Sequence, residues 1–68
     1  MFLVDIITTV VDHVWYEIWG NEADDGYVAY SCIFYDAEID RPWLIAKNET
    51  EGGARVEARF HMARNGIA

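Results

Sequence analysis

At 68 residues, with 53% hydrophobic content, 15% aromatic content and a formal charge of −7, the chain has the make-up of one small acidic domain spanning 1–68. Folding at this size buries only roughly 60% of the unfolded chain's surface. The single cysteine rules out an internal disulfide as a staple, and the negative charge disfavours nucleic acid or an anionic membrane as a direct ligand.

In chain order, Phe2 to Val11 is rich in β-branched residues and reads as strand. Asp12 to Trp19 alternates, with Val14, Tyr16 and Ile18 on one face and His13, Trp15, Glu17 and Trp19 on the other. These two segments form either one long bent strand or two short ones. Gly20 to Gly26 has the Gly, Asn and Asp content of a loop and predicts a hairpin. Tyr27 to Tyr35, YVAYSCIFY, has no charge, Gly or Pro and is largely apolar on both alternating faces, which predicts a central strand.

Asp36 to Pro42 breaks the apolar run. Trp43 to Lys47 reads as a short strand in preference to the first turn of a helix capped by Asp40. Asn48 to Gly53 is a polar loop. From Ala54 to Met62 an unbroken period of two places Ala54, Val56, Ala58, Phe60 and Met62 on one face, as expected of a half-buried strand with Phe60 in the core. The last few residues, Arg64 to Ala68, are expected to fray. The fold class predicted is mostly β: a small antiparallel meander or curled half-barrel of four to five strands. The alternative is an α+β unit with one short helix near residues 40–48.

Chemistry-bearing motifs are sparse. His13, Glu17, His61 and Cys32 can be assembled as a metal set only on paper, because no pair has ligand-motif spacing. Cys32 lies in an apolar strand, where a free cysteine acts as a small core hydrophobe. Gly52-Gly53 is a turn pair without the phosphate-loop frame, and Asp24-Asp25 and Glu38/Asp40 sit in polar loops rather than a desolvated cleft. No metal, cofactor or catalytic residue is therefore assigned, and the chain is not expected to be an enzyme. Met1 to Val11 lacks the basic region and cleavage site of a leader, and no run approaches the ~18 apolar residues of a membrane span. With one cysteine, the expected location is the cytoplasm.

The charge is distributed unevenly. Residues 1–40 hold nine acids and no Lys or Arg, while residues 41–68 hold three acids and five bases, giving −9 and +2 and hence −7. This split marks a charged interaction face. If Val14, Tyr16 and Ile18 point to the core, Trp15 and Trp19 flank Glu17 on an outward surface suited to a basic partner. The partner-binding set expected is Trp15, Glu17, Trp19, Glu22, Asp24, Asp25, Asp36, Glu38 and Asp40. The function expected is binding, and inhibition or modulation, of a basic nucleic-acid-handling protein. By charge and size alone this parallels small acidic inhibitors, phage-encoded ones among them, that block nucleic-acid enzymes. The alternatives are a structural subunit of a homo-oligomer or larger assembly, and a small ligand-binding domain using Trp platforms with Glu17 and His13.

Overall fold

The computed structural model describes residues 1–68. The elements follow in the order β1 (Phe2–Thr8), β2 (Val14–Glu22), β3 (Val28–Asp36), β4 (Arg41–Asn48) and α1 (Glu51–Arg64). The strands form one unclosed antiparallel sheet in the order β1-β2-β3-β4, so the mostly-β meander expected from the sequence is present. The first two apolar segments are two separate strands joined by a short connection at 9–13. Thr9 closes that connection: its Oγ1 donates to the Val14 carbonyl (2.9 Å) and accepts from the Val11 N–H (3.1 Å).

Residues 41–48 are strand β4 rather than a helix. The reason lies in the preceding turn, where the Asp36 carbonyl accepts from both Ile39 and Asp40 N–H. Asp40 itself has φ 53°, the left-handed region. A helix N-cap needs an extended backbone there, so Asp40 ends a turn and cannot start a helix. The Trp43, Leu44 and Ile45 side chains then suit a pleated surface beside β3.

The strand expected at Ala54–Met62 is instead the middle of helix α1. Its small and long unbranched residues also satisfy a helical face: Ala54 and Ala58, four apart, are both fully buried, and Met62 continues their line onto the core. Both ends are capped. Thr50 is extended and its Oγ1 accepts from Gly53 N–H (3.0 Å). At the other end, Gly66 at φ 66° donates to Ala63 O (3.3 Å) and Ile67 donates to Met62 O (3.1 Å). That pair of bonds is a Schellman motif. Gly53 in the first turn leaves room for the Asn48 side chain, whose Oδ1 would lie 2.7 Å from a Cβ there and would have to shift. Phe60, expected in the core, is 58% exposed on the outer side of the helix. Near the end of the chain, Val10 N–H donates to the Ile67 carbonyl (3.3 Å) and Ile67 packs against the core.

The helix covers one face of the sheet. Beneath it lie Val14, Tyr16 and Ile18 of β2 and Cys32 of β3, with Ile7, Tyr30, Phe34 and Ala46 around them. The alanines at 54 and 58 let the helix backbone approach closely. A guanidinium ties the helix to the far edge of the sheet: Arg55 reaches Asp5 Oδ2 of β1 (2.7 Å) and Glu51 Oε2 (2.9 Å). No helix covers the opposite face. That face carries Trp15, Glu17 and Trp19 of β2 and, cross-strand from them, Tyr35, Ile33 and Ser31 of β3.

Candidate functional site

The condition set by the sequence holds: Val14, Tyr16 and Ile18 are core, so the alternating partners Trp15, Glu17 and Trp19 project from the uncovered face. They are half-buried by one another and by their neighbours. Trp15 stacks flat on Tyr35 (centroids 5.5 Å apart, planes 4° apart). Trp15 Nε1 donates to Glu17 Oε2 (3.0 Å) and Trp19 Nε1 donates to Glu17 Oε1 (2.8 Å). One carboxylate is thus held by two indoles from its own strand. The Tyr35 phenol has its pKa raised, first by burial and then by the Glu17 charge. Beside this group, Ile6 and Thr8 of β1, the Thr9–Asp12 connection, Trp15 and Glu17 line an open depression of about 380 Å³.

The other expected contact residues are not gathered round this centre. Antiparallel pairing of β2 with β3 sets Val14 opposite Asp36 at one end of the sheet and Glu22 opposite Val28 at the other. Glu22, Asp24 and Asp25 therefore lie at one end and Asp36, Glu38 and Asp40 at the other, about 30 Å apart for a nine-residue strand. Two of these acids also shape their turns: Asp25 Oδ1 accepts from Tyr27 N–H (3.1 Å) and Asp36 Oδ1 from Glu38 N–H (3.0 Å).

No known protein family, curated protein or solved structure matches the chain.

The metal set that the sequence allowed on paper is scattered. Glu17 lies on the open face, whereas Cys32 is fully buried on the covered one. Burial, then the Glu57 charge, pushes the Cys32 thiol up to about 11, so it is protonated at neutral pH. His61 sits on the helix, with Nδ1 2.6 Å from the Tyr16 hydroxyl. His13 turns instead toward Asp36 Oδ1 (3.7 Å) and Glu38 Oε2 (3.6 Å). Local spacing does not show that grouping because His13 lies more than twenty positions before Asp36 and Glu38. The signal that finds it is the β2–β3 register, which makes the residue before Val14 a neighbour of the residues after Tyr35.

Proposed function

We propose that this protein is a small, acidic, non-catalytic interaction protein that binds a basic surface on a nucleic-acid-handling protein and inhibits or modulates it by occupying that surface. The observation that carries this reading is the Glu17 carboxylate held between Trp15 and Trp19 on the uncovered sheet face. Each carboxylate oxygen accepts one indole N–H and keeps lone pairs free. A guanidinium approaching from the partner pairs with Glu17 while lying against the aromatic faces, combining a charge-assisted hydrogen bond with cation–π attraction. Trp15, Trp19 and Tyr35 are the residue types that anchor interfaces. The acids at the two ends of the sheet act at longer range, steering a basic partner onto the central face. In a reducing cytoplasm the buried Cys32 stays a free thiol.

The test uses tagged protein as bait in a nuclease-treated lysate of the source cell, at low and high salt. The wild type is expected to capture a basic nucleic-acid-handling protein at low salt and less of it at high salt. Glu17→Gln and Trp15→Ala, which leave the helix-covered core untouched, are expected to lose most of that capture. Equal capture by the wild type and both variants would remove the open face from the mechanism.

A second reading, a subunit of a homo-oligomer, is favoured by one observation: Leu3 and Ile6 of edge strand β1 are exposed (45% and 49%) next to the same face. A second copy of the chain laid over that face would bury them.

A further inference from the structure

We propose that His13, Asp36 and Glu38 form a binding site for a zinc-like divalent cation at the β2–β3 end of the sheet. The three side chains converge from separate stretches: His13 just before β2, Asp36 at the end of β3, and Glu38 in the turn that follows. One ligand atom from each lies within 4.8 Å of the others. The three side chains converge without hydrogen-bonding to one another. His13 Nε2 stands 3.7 Å from Asp36 Oδ1 and 3.6 Å from Glu38 Oε2, too far for N–H···O bonds. Those separations are close to the edge of a tetrahedron, about 3.4 Å for metal–ligand bonds near 2.1 Å. Shifts of a few tenths of an ångström in the His13 and Glu38 side chains, 37% and 74% exposed, close both differences.

The charges also fit. Two carboxylates offer −2 to a dication, with the imidazole as a nitrogen donor, and no Lys or Arg forms an ion pair with Asp36 or Glu38. One nitrogen and two carboxylate oxygens suit zinc and its borderline neighbours, whereas calcium and magnesium prefer oxygen alone. The backbone frame stands without the ion. Ala37 N–H donates to the His13 carbonyl (2.8 Å), and Asp36 Oδ1, the oxygen that faces His13, is oriented by accepting Glu38 N–H (3.0 Å) and keeps a second lone pair for an ion. The open side of the site leaves room for water as a fourth ligand.

The test is a titration of untagged protein with zinc chloride, followed by calorimetry and by the imidazole proton resonances. Saturable binding of one zinc per chain is expected, with the His13 resonances shifting and those of His61 unmoved. His13→Ala and Glu38→Gln are each expected to weaken zinc binding by about tenfold or more, since even outer-shell partners of a metal contribute that much. His61→Ala leaves it unchanged. Circular dichroism of each variant establishes that the fold is kept. Zinc affinity that survives both His13→Ala and Glu38→Gln, zinc-dependent shifts at His61 alone, or no saturable binding at millimolar zinc would each overturn the site.

Discussion

The Tyr16 hydroxyl, 2.6 Å from His61 Nδ1, links the centre of β2 to the last turn of α1. Tyr16 is fully buried, and burial pushes its phenol up to about 12, so it keeps its proton and acts as the donor. Nδ1 must then accept, which places the imidazole proton on Nε2. Protonating His61 would turn that acceptor into a second donor facing a phenol. Burial first, and the Arg64 charge second, accordingly hold the His61 pKa below its ordinary 6.5. In the unfolded chain His61 takes up a proton near 6.5 and in the folded chain it resists, so the unfolded state binds more protons in between. The contribution to stability is complete above about 6.5 and is lost as pH falls through the lower folded value. Asp5, held low by its bond to Arg55, belongs to a separate window that opens only below its ordinary 3.8. The urea midpoint of the wild type is therefore expected to fall between about pH 7.5 and about pH 5, and His61→Gln is expected to show a shallower fall. Parallel curves for the two proteins would show that His61 carries none of the dependence.

At the scale of the element, the helix is where the residues are most easily misread. ARVEARFHM satisfies two templates at once: a strict alternation of Ala54, Val56, Ala58, Phe60 and Met62, and the helical line Ala54, Ala58, Met62. Periodicity alone does not separate them. The end signals do: Thr50 four residues before Ala54, Glu51 four before Arg55, and Asn65-Gly66 after the last turn are helix start and stop marks. The strands were legible because Tyr27–Tyr35 and Val14–Trp19 carry β-branched and aromatic side chains with no competing helical pattern. The alternation in β2 likewise put Trp15, Glu17 and Trp19 on one face. The indole clamp on Glu17 depends on rotamers, and the His13 cluster on strand register, and neither is written in local spacing. Phe60→Ala on the exposed side of α1 is expected to change stability within about 0.5 kcal/mol. Ala58→Leu, overpacking the contact between helix and sheet, is expected to cost about 1–3 kcal/mol in denaturant unfolding. The opposite ranking would return 54–62 to a strand with Phe60 inside.

For the whole molecule, thin coverage and strong charge pull association in opposite directions. Only 7 of 68 residues are buried, and one sheet face has no layer over it, so the chain has apolar surface to spare. Two copies meeting through that face would bring −7 against −7 and set Glu17 of each against the aromatic face of the other. A basic partner brings the opposite sign. Salt therefore separates the two readings by direction and not just by size. The screening length shortens from about 10 Å at 0.1 M to about 3 Å at 1 M ionic strength. Screening weakens attraction between unlike charges and relieves repulsion between like ones, while the hydrophobic contribution of the uncovered face persists. Sedimentation of the pure protein is expected to give a monomer at low salt, with mass rising only when salt is raised if the open face pairs with itself. Capture of a basic partner is expected to fall over the same range. Self-association that is strongest at low salt would instead mean that unlike charges join the copies. Arg59 and Arg64, which form no ion pairs within the chain, would then be the first residues to reverse.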